Sequence, residues 1–185
     1  MKTLGVWAQV PDDRMRARAE PRARTPLEHM LHQCLSEEGW MRTMLGIDAG
    51  GDVLPPEETR DLLIAHYAGA SARRLAMLEQ QPESWFEAEV PFFEVRRSRA
   101  WVLTRRVLHS AHHRGQLNAA IRSWGLPLYS TYGPTADTGG LPKNGARTIY
   151  LFDDATTDAK GPATISTLPG AGGLPVTERP DPNER

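Results

Sequence analysis

Apolar residues recur at helical spacing along three long stretches of the chain. The first runs through Leu27, Leu31, Cys34, Met41 and Leu45, with Glu38 as the one charged residue on the stripe. Its start is marked by Thr25 as N-cap, Pro26 in the first helical position and Glu28 three residues after the cap, and Gly46 with the Gly50–Gly51 pair ends it. The second follows Pro55 and Pro56, where Glu57, Glu58 and Asp61 place negative charge beside unpaired first-turn amides; its stripe is Ile64, Tyr67, Ala68, Ser71, Leu75 and Leu78. The third spans Ser98 to Trp124 without a proline, apolar at Val102, Leu103, Leu117, Ala120, Ile121 and Trp124, and Gly125 stops it. Between the last two, Pro82 and the aromatic-rich run through Trp85, Phe86, Phe92 and Phe93 read as an ordered connection containing at most a short extended piece.

Three long helices, a short one over Leu4 to Val10 and a long crossover before the last predict an all-α four-helix bundle. After Gly125 the character changes to Gly, Pro, Thr and Asp, and only Thr148 to Phe152 has the look of a strand. Residues 1–152 are therefore expected to form the bundle with a C-terminal loop. Residues 153–185 form an irregular, Gly/Pro-rich extension with too few large apolar side chains to offset its own ordering entropy, and it is expected to be disordered.

Composition narrows the function. At 185 residues and 39% hydrophobic the chain is long enough for a real core. Twenty-two Lys and Arg against 23 Asp and Glu give a formal charge of −1, so no global field draws it to nucleic acid or acidic membrane. No stretch approaches the roughly 18 apolar residues of a membrane span, and the first residues reach charge too soon for a secretory signal, so a cytoplasmic protein is expected. The single cysteine, Cys34, excludes an intramolecular disulfide and zinc sites built from several thiolates, and its place on an apolar stripe predicts burial. Any metal must then be held by His and carboxylate.

Five of the six histidines fall in two clusters, His29 with His32 and His109 with His112 and His113. His109 and His113 are one helical turn apart, which puts both imidazoles on one face beside the apolar stripe, where two rings can grip one ion. His112 points away from His113 and is either a surface residue or one that supports a ligand from outside the site, and His66 faces off its helix's apolar stripe into solvent. A mononuclear catalytic site uses three protein ligands and leaves a position open, so a third must come from another helix. His29 and His32 both qualify, and periodicity does not separate them. Glu37 either orients a liganding imidazole or is merely solvated. Seven arginines lie between Arg96 and Arg122 with no acid among them; pairing with acids such as Glu57, Glu58 and Asp61 accounts for them better than an anionic substrate does. In the loop that follows the third helix, Tyr132 or Asp137 is placed to act as a lid or substrate contact, although turn chemistry explains most of that segment.

The segments His32-Gln-Cys-Leu-Ser-Glu37 and His109-Ser-Ala-His-His113-Arg-Gly-Gln116 resemble the two signatures of the DinB superfamily, the DinB/YfiT-like metalloenzymes. There a His on the second helix is commonly followed five residues later by Glu, and the last helix carries His-x-x-x-His-Arg-Gly-Gln or a variant. The resemblance covers roughly residues 1–150 and departs at the N-terminus, where the family's first helix is normally several turns longer. It implies a four-helix bundle, often a homodimer, with His32, His109 and His113 binding one divalent ion (zinc, nickel, iron or manganese) between helices. Three neutral imidazoles leave such an ion its full charge, so it acidifies a bound water or thiol. Characterised relatives include S-transferases and isomerases that use low-molecular-weight thiols. The resemblance thus implies a small-molecule substrate and a thiol-dependent, metal-dependent transferase. The alternatives are a metal-dependent hydrolase and a non-catalytic metal- or ligand-binding protein of a stress response. DNA binding is disfavoured, because a basic helix whose inner face holds metal cannot also enter a groove.

Overall fold

The computed structural model describes residues 2–152 and 168–170; the expectation for the tail lies outside them apart from those last three residues. The chain divides into two compact units, Val10–Leu117 and Met1–Gln9 with Asn118–Arg185. Helix α1 covers Lys2–Ala8, α2 Pro26–Gly39, α3 Arg60–Leu78, α4 Glu83–Glu87 and α5 Arg99–Ser123, and strands β1 (Glu89–Phe92) and β2 (Val95–Ser98) form an antiparallel hairpin.

In the unit Val10–Leu117, α2 begins as its sequence dictates. The Thr25 hydroxyl accepts from the Glu28 amide at 3.2 Å, and the Glu28 carboxylate accepts from the Thr25 amide at 2.8 Å, so two amides that lack helical partners are satisfied reciprocally. The helix ends in a wide turn over Trp40–Met44, where the Leu45 amide reaches back five residues to the Trp40 carbonyl. Gly46, at φ +70°, then takes the left-handed conformation that a side chain resists. The turn sends Met41 and Leu45 into a core shared with Ile47, Val90 and Val102, against which Trp40, Trp85, Phe92 and Leu103 pack.

Helix α3 starts later than the charge pattern suggests, because Thr59 is the N-cap: its hydroxyl accepts from the Leu62 amide at 3.4 Å. Its buried face is Leu63, Tyr67, Ala70 and Arg74, about one position round from the predicted stripe, and Leu75 is exposed. The reason is electrostatic. Arg74 is buried against Glu37 and Glu38 of α2, and a buried arginine looks polar in a hydrophobicity pattern.

The all-α expectation needs one correction. The chain is mostly helical, but the aromatic connection folds into the β1–β2 hairpin, pairing Glu89 with Ser98 and Phe92 with Val95. Strands of four residues carry too few alternations to stand out from the surrounding aromatics, yet Val90 is a core residue. Phe93, at the hairpin turn, has φ +51° and is 72% exposed.

In the other unit, α1 begins two residues earlier than expected and buries Leu4, Val6 and Trp7. The Gln9 side-chain carbonyl accepts from the Tyr129 amide at 2.8 Å, and Ser130 and Ile149 exchange two hydrogen bonds. Asp137 accepts from the Leu128 amide at 2.8 Å and pairs with Arg122 at 2.6 Å, which fixes the carboxylate within its own loop. Among the described residues no helix is long and apolar enough to cross a membrane.

Candidate metal centre

The site lies wholly within the unit Val10–Leu117 and is built by two helices. Helix α5 presents His109 and His113 one turn apart, and α2 presents His32 opposite them. Nε2 of His32 is 3.4 Å from Nε2 of His109, and Nε2 of His113 is 3.2 Å from Nε2 of His109. One nitrogen from each ring lies within 4.8 Å of the other two. Ligands about 2.05 Å from a tetrahedral ion stand about 3.3 Å from one another. The donor set and its spacing therefore fit one small divalent cation, and imidazole nitrogen suits zinc, nickel, iron and manganese without selecting among them.

The structure separates the two histidines that periodicity left open. His32 turns Nε2 toward the α5 pair, whereas His29 is buried behind His113, Nδ1 to Nδ1 at 3.0 Å. His112 is exposed, as its angular position predicts. His66 is not simply solvated: its Nε2–H donates to the Val53 carbonyl at 3.0 Å.

Burial sets the charge of these rings. It lowers His109 to about 4, helped by the Arg106 guanidinium, and lowers His113 to about 3, helped by His109. His29 falls to about 4, and His32 is also lowered, in both cases by burial first and Arg24 second. Near pH 7 all four imidazoles are neutral, the form in which a ring nitrogen offers a lone pair.

Beneath the rings is a buried polar network centred on Glu37. Its carboxylate accepts from Tyr67 Oη at 2.5 Å, Arg74 Nη1 at 3.1 Å and Arg106 Nε at 3.4 Å. Glu37 is therefore neither solvated nor bonded to an imidazole; it acts through Arg106, whose Nη1 lies 2.7 Å from His109 Nδ1. Arg106 also donates to Ser36 at 2.9 Å and Ser110 at 3.3 Å. A guanidinium only donates, so this contact makes His109 Nδ1 an acceptor and puts that ring's proton on Nε2. Holding a cation through Nε2 would place that proton on Nδ1, to which Arg106 would no longer donate; Ser36, Ser110 and Glu37 are its other acceptors.

The predicted arginine partners also need correcting. The deepest pairs of the basic helix and its entry are not with Glu57, Glu58 or Asp61: Arg106 is held by Glu37, Arg122 by Asp137, and Asp61 pairs with Arg60. The missed contributors are Trp40, Phe92 and Phe93. Trp40 stacks on His109 with ring centroids 5.8 Å apart and planes 29° from parallel, and it meets Phe92 edge-on at 5.3 Å and Phe93 at 6.4 Å. The clustering of aromatics after Pro82 was visible in the sequence; its position beside His109 depends on the wide turn after Gly39, which no spacing rule announces.

Cys34 is buried, and burial reinforced by Glu37 pushes its thiol up to about 12, so it offers no thiolate near neutral pH.

A family model for the DinB superfamily matches residues 1–117. A DinB-like protein from Bacillus cereus ATCC 10987 has a similar fold at 17% sequence identity, with a TM-score of 0.60 over 71% of this chain and 89% of that one. The DinB-like protein YjoA from Bacillus subtilis does too, at 17% identity, with a TM-score of 0.55 over 70% of this chain and 91% of that one. No curated protein matches.

Proposed function

The chain belongs to the DinB superfamily, and from that membership we propose that it is a metal-dependent enzyme transferring a low-molecular-weight thiol to a small electrophile. The convergence of three neutral imidazoles from α2 and α5 carries this reading. His32, His109 and His113 hold one divalent ion through Nε2, the arrangement of a four-helix bundle whose ligands project inward from facing helices. An ion held by these three residues would supply a Lewis acid with a coordination position left for a thiol or water, whose pKa it would lower.

One observation favours thiol transfer over hydrolysis. Hydrolysis commonly calls for a general base beside the nucleophilic water, and the nearby carboxylate Glu37 is bound up by Tyr67, Arg74 and Arg106. A thiol acidified by the ion would release its proton to solvent near neutral pH and so would need no such base. The thiol is a diffusible one, because Cys34 is buried and protonated. Trp40, Phe92 and Phe93 offer an apolar wall beside His109 for the electrophile, and exposed Val107 and Leu108 on α5 give a homodimer an apolar face to cover.

Metal content of the purified protein, measured before and after His113→Ala, tests the site: one ion per chain is expected to fall to near zero. Conjugation of an electrophile by glutathione, bacillithiol or mycothiol, assayed beside ester and amide hydrolysis, tests the chemistry. Hydrolysis without conjugation moves the assignment to hydrolase, and metal binding without either moves it to a binding protein.

A further inference from the structure

We propose that His29 is a positioning residue for the metal centre: it accepts the Nδ1–H of His113 and thereby keeps His113 in the tautomer whose Nε2 lone pair faces the ion. This rests on the metal-site reading and adds to it a fourth histidine that does not touch the metal.

The two Nδ1 atoms are 3.0 Å apart, a distance at which one carries a proton and the other does not. Only one polarity is compatible with ligation. If His29 donated, His113 Nδ1 would be the acceptor, its proton would sit on Nε2, and the ring would present N–H where a lone pair is required. If His113 donates, Nε2 is free to ligate.

The surrounding contacts fix the same polarity independently of any cation. Arg106 donates to His109 Nδ1, so the His109 proton is on Nε2, where His113 Nε2 at 3.2 Å is the nearer acceptor and His32 Nε2 at 3.4 Å the farther one. His113 Nε2 is then an acceptor, its proton is on Nδ1, and that proton points to His29. Replacing the His109–His113 hydrogen bond by a shared ion leaves the last link unchanged. His29 is a receiver in both cases.

His29 is not a fourth ligand. Its facing nitrogen meets the side of the His113 ring opposite Nε2, and it lies outside the trio whose nitrogens converge. Helix α2 supplies both the ligand and the buttress: His29 and His32 are three residues apart, and their ring centroids lie 5.2 Å and 4.7 Å from that of His113. Ligating histidines generally hand their second N–H to an acceptor that orients the ring, and loss of that acceptor typically weakens metal binding about 10- to 100-fold.

The test is Co2+ titration, followed by d–d absorbance and by chelator competition, on the full chain and on His29→Leu, His29→Asn, His29→Asp and His113→Ala, with thermal unfolding of each chelator-treated protein. His29→Leu is expected to weaken Co2+ binding about 10- to 100-fold. His29→Asn, whose side-chain oxygen takes the place of Nδ1, restores binding to within a few-fold, and His29→Asp binds at least as tightly as Asn. If Leu binds like the original chain, or if Leu and Asn weaken equally at matched stability, the proposal is overturned. Long-range 1H–15N spectra of the Zn2+-loaded protein decide the matter even if His29→Leu does not fold: His113 is expected to be protonated at Nδ1 and His29 at Nε2 only. A proton on His29 Nδ1 overturns it. The metal-site reading fails separately, through equal Co2+ binding with and without His113.

Discussion

At the scale of single residues, the buried charges decide more than the apolar ones. Glu37 is the centre of a three-residue lock in which Arg74 and Arg106 converge on one buried carboxylate. Removing one partner of such a group leaves uncompensated charge, which typically costs about 3–5 kcal/mol. Glu37→Ala is therefore expected to destabilise the fold by an amount in that range, read as a shifted denaturation midpoint. It also frees Arg106 and so disturbs His109, coupling stability to metal affinity. An unchanged midpoint would mean that the network contributes nothing. The sequence presented Glu37 only as a choice between solvation and support; its partners come from α3 and α5, 37 and 69 positions away, a separation that no local pattern encodes.

At the scale of elements, what was legible follows from how local the determinant is. The start of α2 was readable because Thr25, Pro26 and Glu28 satisfy one another within a single turn. Thr25→Ala removes the hydroxyl acceptor and is expected to cost about 1 kcal/mol, measured by denaturant unfolding. A loss within error would show that neighbouring structure holds the helix end unaided. The α5 histidine pair was equally local, since one turn of helix fixes the relation of His109 to His113. Less legible were the face of α3, turned by the burial of Arg74, and the hairpin, whose two strands owe their pairing to a tight turn at Phe93. A non-glycine residue at positive φ costs about 1–2 kcal/mol. Because Phe93 is largely exposed, Phe93→Asn should leave stability unchanged or slightly raised. If that variant also weakened binding of an apolar electrophile, the aromatic wall beside His109 would be contributing to substrate recognition.

For the molecule as a whole, the lowered histidines set an acid limit. His29 and His109 move from 6.5 to about 4, and His113 to about 3. Between those values the unfolded chain binds protons that the folded chain refuses, so the stability present above pH 6.5 is lost as pH falls through the window. The melting temperature of the chelator-treated protein should drop from pH 7 to pH 5, and less steeply after His109→Gln; a flat profile would show that the rings stay accessible to protons when folded. The third histidine at the site came from family resemblance and not from periodicity, because the meeting of α2 with α5 is a tertiary fact. The buried Cys34 has a last practical consequence. With one sulfhydryl per chain shut inside the folded protein, an alkylating reagent leaves the native population unmarked and tags a molecule only while it is open. The rate of labelling by iodoacetamide, compared with and without added Zn2+, is thus a built-in clock for how firmly a bound cation clasps the two histidine-bearing helices.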